Sequence, residues 1–297
     1  MTTFPHGTTF PHGTTFSHVT VVGAGVLGAQ IAFQVAVHGI PVIAYDVDDQ
    51  ALEAARTRLQ TIRAQYLADL GEDQRDAADA GLARITLTTD LATCAADADL
   101  VIEAVPEVLA LKERIYAELG ATAPETTVFA TNSSTLLPSQ LADATGRPDR
   151  FLALHFANHI WRQNTAEVMG SPRTDPAVFD RVLAFATEIG MVPIPVRKEQ
   201  PGYVLNSLLV PLLGAAAQLV LRGVAEPETV DATWRIGTGA PMGPFQIIDV
   251  VGLRTVHAIS SASDDEGSRL WAAYLQTNYL DQGKYGVESG EGFYRYS

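Results

Sequence analysis

Cys94 is the only cysteine in 297 residues, so no intrachain disulfide can form and a reducing, cytoplasmic setting is expected. Basic residues are scarce as well: 20 Lys and Arg stand against 34 Asp and Glu, for a net charge of −14. That balance argues against the basic face needed for nucleic-acid binding, yet leaves room for an anionic ligand at a helix N-terminus. Long apolar runs are also missing. The nearest, residues 204–221, carries Asn206, Ser207, Pro211 and Gln218, so it reads as a core or interface helix and no membrane span is expected. The first residues repeat TTFPHG twice and continue as TTFSH, without the basic start and apolar run of a secretory signal. His6 and His12 invite a metal reading there, but a low-complexity tail over residues 1–17 is expected instead, and no metal site is assigned.

What is present describes an ordinary globular protein. Hydrophobic content of 47% with 18% charge is enough to bury one large or two medium cores. The first half alternates short β-branched runs with amphipathic stretches, the pattern of an α/β fold. Strands are expected at 19–22, 41–45, 85–88, 100–104, 128–131, 151–155 and near 166–169. Helices are expected at 30–38, closed by Gly39, and over the polar region 51–80. Beyond about Val196 the pattern becomes helical, at 203–222, 227–237 and 269–282, with a Gly/Pro-rich link at 239–244. The polar, helix-breaking stretch 198–202 marks the boundary between residues 18–198 and 199–297. The expected architecture is a Rossmann-like, doubly wound and mostly parallel sheet followed by an all-helical domain.

Gly23-Ala24-Gly25-Val26-Leu27-Gly28 forms GxGxxG. The pattern alone is weak, but here it follows a strand, opens a helix, and has Asp46 at the end of the next strand, 18 positions after Gly28. Gly23 allows the tight turn, Gly25 lets backbone approach a pyrophosphate, and Gly28 lets the helix pack on its strand. Val26 and Leu27 complete the loop at the helix N-terminus, which favours phosphate charge. Asp46 is placed to accept hydrogen bonds from a ribose. Val47, Asp48 and Asp49 beside it supply no cation for a 2′-phosphate, so NAD(H) is expected over NADP(H).

His155 ends the apolar run 151–155, where strand ends of an open α/β sheet face the ligand crevice. Histidine suits proton transfer to or from a hydroxyl at neutral pH. By itself it reads more often as a satisfied structural histidine.

Further segments carry a resemblance: Thr131-Asn132-Ser133-Ser134-Thr135-Leu136, Leu154-His155-Phe156-Ala157-Asn158 and Asn164-Thr165-Ala166-Glu167-Val168. To these are added Pro201-Gly202-Tyr203-Val204-Leu205-Asn206, Gly239-Ala240-Pro241-Met242-Gly243-Pro244-Phe245 and Gly290-Glu291-Gly292-Phe293-Tyr294. Over residues 19–296 the chain resembles the 3-hydroxyacyl-CoA dehydrogenase family, and within it the diketoreductase branch. The resemblance implies that His155 is the acid–base, that Glu167 orients it, and that Ser134 and Asn206 bond the reacting oxygen or line the site. It implies cofactor contacts at Glu107, Lys112 and Asn158, and a homodimer through the helical domain. Read singly, Ser134 is a loop or capping serine, Glu167 a surface strand acid, Asn206 a buried helix polar group and Lys112 a solvated helix lysine.

Two departures bear on substrate. After the histidine the sequence continues Ala157-Asn158-His159-Ile160-Trp161-Arg162-Gln163, which puts Trp161 and Arg162 near the expected pocket mouth as candidate substrate contacts. At the positions where the family grips the CoA phosphate stand Ile62 and Asp69, leaving Arg56, Arg58 and Arg63 as candidate replacements. The leading expectation is therefore an NADH-dependent oxidoreductase interconverting 3-keto and 3-hydroxy compounds, whether β-keto or diketo esters or 3-hydroxyacyl thioesters. The alternatives are a dedicated short-chain L-3-hydroxyacyl-CoA dehydrogenase of fatty-acid or butanoate metabolism and a non-catalytic NAD-binding protein.

Overall fold

Short runs of β-branched and apolar residues become the strands of one sheet in the computed structural model, which describes residues 15–296. The strands are β1 (Val19–Val22), β2 (Val42–Tyr45), β3 (Ile85–Thr88), β4 (Leu100–Glu103), β5 (Val128–Thr131), β6 (Phe151–Phe156), β7 (Thr165–Gly170) and β8 (Val192–Val196). Their order is β3-β2-β1-β4-β5-β6-β7-β8. Every neighbouring pair is parallel except β6 and β7. The central strands β1, β4, β5 and β6 are buried throughout, as a sheet covered on both faces requires.

The helices of this unit are α1 (Val26–Val37), α2 (Asp49–Leu70), α3 (Arg75–Ala83), α4 (Leu91–Cys94), α5 (Leu109–Thr122), α6 (Pro138–Leu141) and α7 (Pro176–Glu188). Almost all of α1 is buried, from Gly28 to Ala36, so its apolar residues surround the helix instead of forming a stripe. Asp48 starts α2 by accepting a hydrogen bond from the Ala51 amide at 2.8 Å. The expected helical region 51–80 is two helices, because Gly71, at φ +107°, ends α2 before α3 begins. One face of the sheet packs a core containing Phe33, Tyr66 and Phe185; the other packs Tyr116, Phe129 and Phe151.

Strand β8 was not expected, since Pro193 and Pro195 interrupt its pattern. It lies at the sheet edge and pairs only with β7, where a missing N–H costs no ladder bond. The tail expected at the N-terminus, with His6 and His12, lies outside the described residues as far as residue 14. Thr15 and Phe16 belong to the folded unit: Phe16 is fully buried, edge-on to Phe185 and under the Arg181 guanidinium.

The chain divides after Val204, a few residues beyond the expected boundary. The second unit holds α8 (Leu205–Leu221), α9 (Pro227–Thr238), α10 (Pro244–Val251), α11 (Leu253–Ser261) and α12 (Glu266–Asn278) around Phe245, Trp271, Leu275 and Phe293. Buried Asp231 of α9 accepts from the Phe245 and Gln246 amides and so caps α10 from another helix. Buried Asp249 holds the C-terminal segment through the Phe293 and Tyr294 amides and the Tyr296 hydroxyl. These carboxylates account for the Gly/Pro-rich link and the Gly290–Tyr294 segment: Gly243 and Gly292 lie where a Cβ would collide with Asp231 and Asp249.

Candidate active site

The site gathers at the C-terminal ends of β1, β4, β5 and β6, beside the point where the chain reverses its winding between β1 and β4. Gly23 follows β1 at φ +97°, and a Cβ there would press on the Ala104 carbonyl oxygen at 2.8 Å. A Cβ at Gly28 would collide with the Gly23 carbonyl oxygen, whereas one at Gly25 would project into open space. Two glycines thus fit the loop to its own fold, and the third keeps a cradle clear at the start of α1. Val26 is exposed at that helix N-terminus and Leu27 packs inward. Asp46 Oδ2 accepts from the Ala24 amide at 3.0 Å and Oδ1 from the Val47 amide at 2.8 Å. An ionised carboxylate keeps further acceptor capacity on both oxygens, so the residues present fit a dinucleotide with its ribose at Asp46.

The ends of β4 and β5 are joined by a buried ionic cluster. Glu103, fully buried, accepts from Lys112 Nζ at 2.6 Å, the Val105 amide at 2.8 Å, Thr131 Oγ1 at 2.8 Å and Tyr116 Oη at 3.1 Å. Lys112 is not the solvated helix lysine that a local reading suggests. It is buried, and its ammonium also meets the Val105 carbonyl at 3.3 Å and Glu107 at 3.2 Å. Glu107 in turn accepts from the Ser133 hydroxyl, the Thr135 hydroxyl at 2.8 Å and the Thr135 amide at 3.0 Å. Partial burial works to raise the Glu107 carboxyl, but the hydrogen bonds from Ser133 and Thr135 and the Lys112 charge together hold it down at about 2. Glu107 and Lys112 therefore fix the loop that presents Ser134.

His155 lies on β6 directly opposite Glu167 on β7. Its Nδ1 is 3.1 Å from Glu167 Oε2, and its Nε2 is 3.1 Å from Ser134 Oγ. Nδ1 thus faces a carboxylate, a group that when ionised can only accept, and Nε2 faces the Ser134 hydroxyl. The antiparallel β6–β7 pair explains why two residues twelve apart in sequence meet. Both residues are buried, at 5% and 3% exposure, which strengthens their interaction. Glu167 Oε1 accepts the Val204 amide at 2.8 Å, and the Tyr203 ring lies flat against the imidazole. Asn132 Oδ1 holds the end of β6 through the Phe156 amide at 3.0 Å. Asn158 is exposed on the following loop, and Asn206 lies in the second unit near the start of α8.

Trp161 and Arg162, on the loop after β6, both bond to Asp69. Trp161 is buried edge-on to Tyr66, and its indole N–H donates to Asp69 Oδ2 at 2.9 Å. Arg162 Nη1 donates to Asp69 Oδ1 at 3.0 Å. Both side chains are engaged with the last turn of α2, which fixes the loop after His155. Gln30 of α1 anchors the same loop by accepting from the His159 amide at 2.8 Å. Ile62 belongs to the core. Arg56 pairs with Glu53 and Arg63 with Asp79, while Arg58 donates to the Ala24 carbonyl of the glycine loop at 3.3 Å. Glu103 and Gln30, two organising groups of the site, carry no local sequence signal: Gln30 acts on His159, far along the chain, and Glu103 gathers Val105, Lys112, Tyr116 and Thr131 only once the sheet has formed.

Comparison with known proteins gives the family. Residues 18–200 match the NAD binding domain of 3-hydroxyacyl-CoA dehydrogenase, and residues 202–296 match its C-terminal domain. The mitochondrial hydroxyacyl-coenzyme A dehydrogenase of Rattus norvegicus is 35% identical over 285 residues, covering 94% of this chain and 90% of that protein. A solved diketoreductase, described in terms of substrate-directed dual catalysis of dicarbonyl compounds, is 59% identical with a TM-score of 0.91. That match covers 95% of this chain and 99% of the other. The (S)-3-hydroxybutyryl-CoA dehydrogenase of Ralstonia eutropha is 30% identical with a TM-score of 0.78, over 95% and 99% of the two chains. The chain belongs to the 3-hydroxyacyl-CoA dehydrogenase family and is an NAD-dependent oxidoreductase acting on CH–OH donors.

Proposed function

We propose that this enzyme interconverts 3-keto and 3-hydroxy compounds with NADH in preference to NADPH, takes β-keto or diketo esters without needing a CoA handle, and uses His155 as its acid–base. The observation that carries the proposal is the continuous line Ser134–His155–Glu167, with 3.1 Å at each step. Bound NADH supplies the hydride that reduces the carbonyl carbon. His155, as imidazolium, gives its Nε2 proton to the ketone oxygen and returns to the neutral tautomer with Nδ1–H held by Glu167. Ser134 donates a hydrogen bond to the same oxygen as charge develops; one well-aimed donor of this kind lowers a barrier by about 3 kcal/mol. In the oxidation direction His155 starts neutral and takes the hydroxyl proton. Asn206 is assigned to the same oxygen or its surroundings, and Asn158 to the cofactor, on family resemblance.

Four features support the narrower choices. Asp46, followed by Asp48 and Asp49, would repel a 2′-phosphate, which favours NADH. Asp69 is committed to Trp161 and Arg162, and Ile62 is in the core, so neither position offers a cation to a CoA phosphate. Exposed Leu208, Val210, Ile236 and Ile259 on the helical unit support a homodimer formed through that unit. The single buried cysteine, its thiol pushed up to about 12 by burial, suits a cytoplasmic enzyme.

The test is NADH oxidation with ethyl acetoacetate and acetoacetyl-CoA compared side by side. Comparable kcat/KM for the two supports the proposal. Turnover of the thioester alone contradicts it and assigns the chain to the dedicated hydroxyacyl-CoA dehydrogenases.

A further inference from the structure

The geometry points to Tyr203 as a positioning residue for the keto–hydroxy reaction: its ring is the platform that holds the His155 imidazole, and its hydroxyl ties down the loop that presents Ser134. The inference rests on His155 being the acid–base.

Tyr203 is almost completely buried and sits in the left-handed region at φ +53°, directly after Gly202 at φ +79°. A bulky residue is uncommon there, and such strain persists where the surroundings hold it. The surroundings here are the members of the proton-transfer line. The Tyr203 ring stacks on His155 with centroids 4.3 Å apart and planes 6° from parallel. Its hydroxyl donates to the Ser133 carbonyl at 2.6 Å, next to Ser134. The following amide, of Val204, donates to Glu167 Oε1 at 2.8 Å. One turn thus touches His155, Glu167 and the residue before Ser134.

The stack supplies what the in-plane hydrogen bonds lack. Partners at Nδ1 and Nε2 fix the imidazole along the line joining its nitrogens, but they leave the ring free to roll about that line. A parallel aromatic plane at van der Waals distance removes the roll and aims the Nε2 proton in one direction. The face of a phenol ring also attracts a cation, which favours the imidazolium formed on alcohol oxidation. Burial, then the charges of Glu107, Glu167 and Glu103, push the phenol well above its ordinary range, so it stays protonated and keeps its bond to Ser133.

The experiment compares Tyr203→Phe and Tyr203→Leu with wild type and with His155→Ala, using ethyl acetoacetate and NADH. Phenylalanine keeps the stack and loses one neutral hydrogen bond, so kcat should fall no more than about threefold. Leucine removes the platform, and misaiming a catalytic group should lower kcat about 30-fold. KM for NADH should be unchanged in both. Proton NMR adds a readout that a merely structural role would not move. The His155 ring resonances, identified by their loss in His155→Ala, should lie upfield in wild type and Tyr203→Phe and move downfield in Tyr203→Leu. Equal slowing by phenylalanine and leucine, or wild-type kcat in the leucine variant, overturns the inference. If the leucine variant does not fold, an undisplaced His155 resonance in wild type still does so. Wild-type turnover by His155→Ala overturns instead the acid–base assignment on which it rests.

Discussion

His155 and Glu167 occupy paired positions on antiparallel β6 and β7, with Nδ1 and Oε2 3.1 Å apart and both side chains buried. Glutamine at position 167 keeps the shape but loses the charge that favours the imidazolium. Glu167→Gln should lower kcat by on the order of 100-fold while leaving NADH affinity unchanged, as read by steady-state kinetics and a binding titration. A near-wild-type kcat would remove Glu167 from the mechanism.

Asp46 is held by the Ala24 and Val47 amides with acceptor capacity to spare. Asp46→Ala should weaken NADH binding by about tenfold or more, the range expected for a lost hydrogen bond to a charged group, and narrow the preference over NADPH. Fluorescence titration with both cofactors measures this. Unchanged affinity for NADH would refute the ribose contact.

Lys112 lies between Glu103 and Glu107 with almost no exposure. Lys112→Met leaves Glu103 buried without its counter-ion and should cost about 3–5 kcal/mol of unfolding free energy. Breaking the exposed Arg56–Glu53 pair with Arg56→Ala should cost less than about 1 kcal/mol. Urea denaturation of the two variants gives the comparison, and equal stabilities would show that the buried cluster is not structural.

The Glu107 carboxyl, held at about 2, lies below the ordinary glutamate value of 4.5. Because folding lowers it, the stabilisation is complete above the ordinary value and is lost as pH falls through that value towards about 2. Glu107→Gln should therefore flatten the acid limb of the stability–pH curve in that window and change the slope little near neutrality. Parallel curves for variant and wild type across the window would contradict this.

Much of the fold was legible because each central strand is a short apolar run and each glycine of the loop has a separate steric task. Strand β8 was hidden because Pro193 and Pro195 are poor strand residues anywhere but at an edge, and edge position is a property of the whole sheet. Helix α10 was hidden for a related reason: Asp231, on a different helix, supplies its cap. In the site, the order of Ser134, His155 and Glu167 could be read, but their contact depends on β6 and β7 running antiparallel. The bonds of Trp161 and Arg162 could not be read, because a loop sequence does not show which way its side chains turn. Both turn towards Asp69. Tyr203 gave no chemical signal at all, since only folding brings its ring against His155.

The most direct test of the acid–base assignment is the rate of ethyl acetoacetate reduction by His155→Ala, measured beside its affinity for NADH. Removing the group that supplies the proton should lower kcat by at least about 100-fold with NADH binding retained. Turnover within a fewfold of wild type in a folded, NADH-binding variant would contradict the assignment of His155 as the acid–base.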